Sequence, residues 1–313
     1  MKLLKKFKEI RGDASSRKFY RNKKNNSIIV YAKKDKNKNL LIYDAINKIL
    51  LKNDISAPKL LNQNYNNNFI EIQDLGDKTI YQILKKKKFN NFLIMKKVIN
   101  ILNKLQLIKV RRIKNFKDKY YEIKYYNNNV LYNETNLFCE WYVKKKLLKK
   151  KQKEFVLDFK KEVRFLLSKL NFKNQTFVHR DFHVSNLMYF KNKISLIDNQ
   201  DALIGNKAYD LASLVDDVRL KTSDQFKYKI YNYYLSMNKN IKRDKFKNDF
   251  EILSVLRNLK IIGIFMRLAK RDKKKKYLKL IPYAWEMIIF RMKSNKVFNN
   301  LNSLIKTNFP KNY

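Results

Sequence analysis

Apolar residues at 41, 42, 45, 46, 49 and 50 fall on one helical face, so residues 41–51 are expected to form a helix. Upstream the apolar pattern is shorter. Ser27–Tyr31 (SIIVY) reads as a buried strand and 17–21 (RKFYR) as its hairpin partner, with the turn in the polar run 22–26. Residues 59–61 and 69–73 flank an Asn-rich stretch, 62–68, suited to a hairpin loop. After Gly76 the character changes, and helical patterns occupy roughly 79–107, 134–150, 153–170, 224–237, 246–270 and 278–292. The stretch 177–196 is a strand-like exception, and no internal repeat is visible. The expected class is α+β: a small β-rich lobe at 1–75, a connector near 72–77, and a large helical lobe at 76–313.

Composition adds limits. The chain has 313 residues, 45% of them hydrophobic, which is enough for two lobes and excludes wholesale disorder. Its longest nearly uncharged apolar stretch, around 261–266, is far too short to cross a bilayer, so no membrane partner is expected. The start, MKLLKKFKEIRGD, lacks the apolar core and small-residue cleavage site of a signal peptide. Cys139 is the single cysteine, so no internal disulfide forms and a reducing cytoplasm is the expected location.

Lys and Arg number 72 against 27 Asp and Glu, a formal charge of +45 that invites a nucleic-acid reading. Against it, Lys far outnumbers Arg. Asn, Ile, Phe and Tyr are abundant while Gly (4), Pro (3) and Trp (2) are scarce. The enriched residues share A/T-rich codons, so the charge reads as compositional bias and nucleic acid is not an expected partner.

The chemistry concentrates in FVHRDFHVSNLMYFKNKISLIDNQD, residues 177–201. His179-Arg180-Asp181 is followed five residues after the Asp by Asn186, then by an apolar strand, 194–197, ending in Asp198. This is the spacing of a kinase catalytic loop and its strand-end metal aspartate, and it makes the expected architecture protein-kinase-like and bilobal. Phosphoryl transfer needs a carboxylate beside the attacking hydroxyl, which Asp181 supplies as catalytic base. Mg2+ needs hard oxygen ligands, which Asn186 and Asp198 supply. The chain's two histidines both lie here, but His179 and His183 have no neighbouring Cys or HExxH pattern, which is weak for zinc. His179 is expected to hold the loop by packing and hydrogen bonding, and His183 to lie near the phosphates. Asp210 opens a further helix, at 206–217, and is expected to support the loop together with Arg180.

Wider similarity follows. The segments GDASSRKFYR (12–21), IQDLGDKTIYQIL (72–84), LFCEWYV (137–143), VHRDFHVSNLM (178–188), LIDNQDALIGNKAYDLASLVDD (196–217) and 256–278 resemble, in order, signatures of the aminoglycoside phosphotransferase superfamily. Within it the chain is similar to the bacterial cell-wall amino-sugar kinases that phosphorylate the anomeric hydroxyl of N-acetylmuramate and N-acetylglucosamine. The resemblance implies ATP and Mg2+ as cofactors, a small sugar as acceptor and a place in cell-wall recycling. It puts ATP phosphates against Ala14, Ser15 and Ser16, with Lys33 as the nearest strand-end lysine, and adenine against the backbone of Gln73, Asp74 and Leu75. Acceptor candidates are His183, Glu140, Trp141, Arg257 and Arg267, with Asp201 as a further candidate and an alternative metal ligand. Two features depart from the pattern: Asn199 stands where the family usually has Phe, and the strand lysine that pairs ATP phosphates has no clear counterpart. Asp44 is expected on a solvated helix face. A kinase of another small hydroxylated substrate, aminoglycoside or choline-like, and a pseudokinase-type binding protein remain alternatives.

Overall fold

The computed structural model describes residues 7–10, 17–33, 39–86 and 90–312. It divides into two compact units, Met1–Lys124 with Thr176–Leu203, and Tyr125–Gln175 with Ile204–Tyr313. The nucleotide-loop candidates Ala14, Ser15 and Ser16 lie outside the described residues.

The first unit is built on an antiparallel sheet of order β1-β2-β3-β5-β4. Its strands are β1 (Lys8–Ile10), β2 (Lys18–Asn22), β3 (Ser27–Tyr31), β4 (Leu60–Asn64) and β5 (Phe69–Gln73). The expected β2–β3 hairpin forms with Phe19 opposite Val30, and its turn ends on Asn26 at φ 49°. Alternation on β5 buries Ile70 and Ile72, which join Ile28 and Val30 of β3 against Leu40 and Tyr43 of α1 (Asn39–Lys52). Asp44 is a correction: it is buried, 2% exposed, not on a solvated face. Lys48, one turn on, holds its carboxylate at 2.9 Å. Burial pushes that carboxyl above its ordinary value against the pull of Lys48.

The expected helix over 79–107 is two helices. Thr79 caps α2 (Ile80–Lys85) through a reciprocal capping box with Gln82, and Asn90 caps α3 (Asn91–Gln106). A short hairpin, β6 (Arg112–Lys114) with β7 (Tyr120–Glu122), had no clear signal in the sequence. The 177–196 stretch divides into β8 (Thr176–Val178), a helical turn at Val184–Asn186, and the hairpin β9 (Leu187–Phe190) with β10 (Lys193–Leu196). Tyr189 N–H donates to Lys78 O at 2.7 Å and Leu196 N–H to Ser56 O at 2.8 Å. The second of these bonds ties β10 to the segment before β4, within the first compact unit, which holds residues 76–124 and 176–203 together with the sheet.

The second unit is helical. It contains α4 (Asn128–Thr135), a π turn (Phe138–Val143), α5 (Lys144–Lys146), α6 (Lys149–Ser168), α7 (Tyr209–Val215) and α8 (Asp224–Met237). It continues through α9 (Arg243–Lys270), α10 (Ile281–Lys293) and α11 (Asn299–Asn308), the last not expected. Nearly every residue of α9 from Asp249 to Phe265 is buried, which makes it the central helix of the unit's core. Gly263 admits the π turn: a Cβ there would meet the Leu137 carbonyl carbon at 2.4 Å. Rings of Phe138, Tyr142, Trp285 and Phe309 pack beside one another with centroids 5.3–5.9 Å apart. Asp216, wholly buried, receives two hydrogen bonds from Arg291, at 2.8 and 2.9 Å, and one from Ser254 at 2.6 Å, with Lys227 3.6 Å away. Among the described residues no helix is long and apolar enough to cross a membrane.

Candidate active site

β10 delivers the chain through Ile197 into Asp198, whose backbone is left-handed at φ 64°, ψ 37°. Asp tolerates this region better than most side chains, and such strain collects at functional sites. Arg180, inside the His-Arg-Asp triplet, is a second outlier at φ 72°. The loop between β8 and β9 closes on the Asp181 carbonyl, to which His183 N–H donates at 3.0 Å and Asn186 Nδ2 at 3.1 Å. Ile197 N–H donates to Asn186 O at 3.1 Å, which ties the loop to the residue before Asp198. Asp181, Asn186 and Asp198 therefore share one short hydrogen-bonded path.

The donor set suits a hard cation. Asn186 uses its amide nitrogen in the loop, leaving Oδ1 as an acceptor with no protein partner among the described residues. Asp198 is 41% exposed at its side chain. Its Oδ1 accepts from Arg17 Nη2 at 2.6 Å and Gln200 Nε2 at 3.1 Å, while Oδ2 has no protein partner among the described residues. One carboxylate oxygen and one amide oxygen without protein partners among the described residues match Mg2+, which is commonly held by one or two carboxylates and completed by water and substrate phosphates. Among the described residues no three or more His, Cys, Asp or Glu side chains gather as a closed metal cage.

Behind Asp198 lies a buried amide chain. Asn199, fully buried, donates through Nδ2 to Asn47 Oδ1 at 2.8 Å and Leu196 O at 3.0 Å. Its Oδ1 lies 2.8 Å from Nε2 of buried His179, which also lies 3.2 Å from Ile197 O, so Nε2 carries the proton. Asn47 in turn donates to Pro58 O at 3.0 Å. Asn199, the departure noted in the sequence, thus joins α1 to the loop between β8 and β9 by hydrogen bonds. Arg180 Nη1 donates to Asp201 O at 3.1 Å, and Asp201 Oδ2 accepts from Gln200 Nε2 at 2.6 Å. His183 is buried, 5% exposed.

At the connector, Asp74 accepts from Gly76 N–H at 2.8 Å and pairs with Arg21 at 2.6 Å, Gln73 N–H donates to Lys59 O at 2.9 Å, and Leu75 is buried. Lys33 is exposed beyond the end of β3 and pairs with no carboxylate among the described residues.

In the second unit, Asp210 is buried in the first turn of α7. Glu140 is exposed on the π turn and accepts from Asn136 at 3.2 Å, and Trp141 beside it is half-buried. π turns recur at functional sites. Arg267 is half-buried, whereas Arg257 is 4% exposed with no partner for its Nη1 among the described residues.

Sequence reasoning missed Arg17, Gln200 and Asn47. Arg17 carried a usable signal, an arginine in a chain that otherwise uses lysine. The two amides carried none among so many Asn and Gln.

The profile of the phosphotransferase enzyme family matches residues 6–244. The N-acetylmuramate/N-acetylglucosamine kinase of Neisseria meningitidis serogroup B is 30% identical over 239 residues, 73% of this chain and 68% of that one. The Pseudomonas putida protein of the same name is 24% identical over 277 residues, 86% of this chain and 78% of its own. A choline/ethanolamine kinase family protein from Mesorhizobium loti superposes with a TM-score of 0.62 at 11% identity, over 96% of this chain and 92% of that one. An ADP-bound aminoglycoside phosphotransferase gives 0.59 at 17% identity, over 92% and 97%. The fold is α+β and protein-kinase-like.

Proposed function

Since the chain belongs to the phosphotransferase enzyme family, we propose that it transfers the γ-phosphoryl group of ATP to the anomeric hydroxyl of an N-acetylated amino sugar, N-acetylmuramate or N-acetylglucosamine. Cytoplasmic cell-wall recycling is the setting that fits such a product. The observation carrying the phosphoryl-transfer reading is the shared path of Asp181, Asn186 and Asp198, with an open oxygen on each of the last two. The names of the sequence relatives support the sugar.

In this reading Asp181 accepts the proton of the attacking hydroxyl. Asn186 Oδ1 and Asp198 would hold Mg2+, which when bound offsets phosphate charge. His179, Arg180 and Asp210 keep the loop in shape. Residues 14–16, Lys33 and the backbone of 73–75 serve the nucleotide from the lobe 1–75 and its connector, and the lobe 76–313 serves the acceptor through His183, Asp201, Glu140, Trp141, Arg257 and Arg267. Arg257 Nη1 is buried with no partner among the described residues, and a carboxylate-bearing sugar would satisfy that donor.

The test is a screen of purified protein with Mg-ATP against N-acetylmuramate, N-acetylglucosamine, kanamycin and choline, reading phosphorylated product. The expected result is sugar 1-phosphate from an amino sugar and nothing from kanamycin. Asp181→Asn should lower that turnover by about 10²–10⁴-fold with ATP binding retained. Robust kanamycin phosphorylation without sugar product would overturn the acceptor, and a fully active Asp181→Asn would remove the base.

A further inference from the structure

A kinase needs a fixed cation near the phosphates, and protein kinases take it from a lysine on the third strand. Here that strand, Ser27–Tyr31, carries none, and Lys33 beyond it is exposed. The buried cation beside the metal aspartate comes from another place. Arg17, 8% exposed and immediately before β2, sets Nη2 2.6 Å from Asp198 Oδ1 and Nη1 2.8 Å from Gln200 Oε1. Its guanidinium carbon lies 5.7 Å from the ring centre of Phe19 and 5.9 Å from that of Tyr43, so aromatic faces seat it. Gln200 closes the triangle, donating to the same Asp198 oxygen at 3.1 Å.

We propose that Arg17 is the phosphate-site cation of this chain: it positions Asp198 through Oδ1 and donates to phosphate oxygens of the bound nucleotide, doing from the start of β2 what a third-strand lysine does elsewhere. The inference rests on the ATP-dependent kinase reading above. A purely structural ion pair would close over both partners, yet here the arginine is buried and the carboxylate is 41% exposed. The guanidinium engages one carboxylate oxygen and leaves the other to a cation. A planar, permanently charged fork is also suited to phosphate oxygens. In sequence, Arg17 directly follows Ser16, the last residue of the segment assigned to the phosphates.

The experiment compares calorimetric binding of a non-hydrolysable ATP analogue with Mg2+ against binding of adenosine, for the parent, Arg17→Met and Arg17→Lys. Arg17→Met should weaken the analogue by about 10- to 100-fold, the range for losing a hydrogen bond to a charged group, and leave adenosine unchanged. Arg17→Lys, which keeps charge without the fork, should fall between parent and Arg17→Met. Equal affinity of parent and Arg17→Met for the analogue, or parallel losses for analogue and adenosine, would overturn the proposal. If Arg17→Met does not fold, the Arg17→Lys comparison decides: analogue weakened with adenosine unchanged supports it, and no change overturns it. A parent that binds neither ligand would bring down the kinase reading itself.

Discussion

Two aspartate–arginine pairs, one in each unit, are built differently. Asp216 is closed on every side: Arg291 reaches both of its oxygens, Ser254 and Lys227 add to them, and Asp216, Arg291 and Lys227 are each no more than 6% exposed at the side chain. Asp198 is held at one oxygen by Arg17 and Gln200, and stands 41% exposed at the end of a strained turn. The closed carboxylate has no capacity left for a ligand and serves the core of its unit. The open one has a spare oxygen and a backbone shape that only surrounding bonds maintain. Pairing with an arginine alone therefore does not tell the two aspartates apart, whereas the oxygen left over does.

The largest effect should come from the closed pair. Asp216→Asn leaves two buried cations without their counter-charge and should cost about 3–5 kcal/mol in urea unfolding, with turnover per folded molecule near the parent's. Asp198→Asn should show the reverse emphasis, with turnover down by about 10²–10³-fold and a smaller loss of unfolding free energy than Asp216→Asn, because one buried cation and not two loses its counter-charge and position 198 is open to water. Equal stability losses in the two variants would break the comparison.

Acid sharpens it further. Burial pushes the Asp216 carboxyl up, but Arg291, Lys227 and Ser254 together bring it below its ordinary value. The stabilisation it contributes is complete above the unfolded carboxyl pKa, about 3.9, and is lost as pH falls through the lower folded value. Urea midpoints taken from about pH 6 down to pH 2 should therefore fall less steeply for Asp216→Asn than for the parent.

Much of this was legible in the chain. Helical spacing placed α8 at 224–237 to the residue, and β-patterning placed the β2–β3 hairpin. The spacing put Asp181 and Asn186 on one loop and Asp198 at the end of the strand after it, and the structure ties 181 to 186 and 186 to 197 by hydrogen bonds. What was hidden has a physical cause in glycine scarcity. Six of the nine described non-glycine residues at positive φ are Asn or Asp: Asn26, Asp54, Asn68, Asp118, Asn192 and Asp198. In this chain those side chains take turns that glycine usually marks. The β9–β10 turn at Lys191 and Asn192 therefore looked like continuous strand. The break before α3 was hidden for a related reason, since its cap, Asn90, is one Asn among many. Arg17 went unread because its partner Asp198 lies 181 positions away.

The glycine that admits the π turn also bears on the order of folding. A π turn is a poor structure on its own, one extra residue per turn beyond what local bonding favours. Its close neighbour is Gly263, on a helix more than a hundred residues downstream. Loop closure over that distance delays the contact. The segment bearing Glu140 and Trp141 is therefore expected to reach its final shape late, only once synthesis has passed Gly263 and α9 has docked.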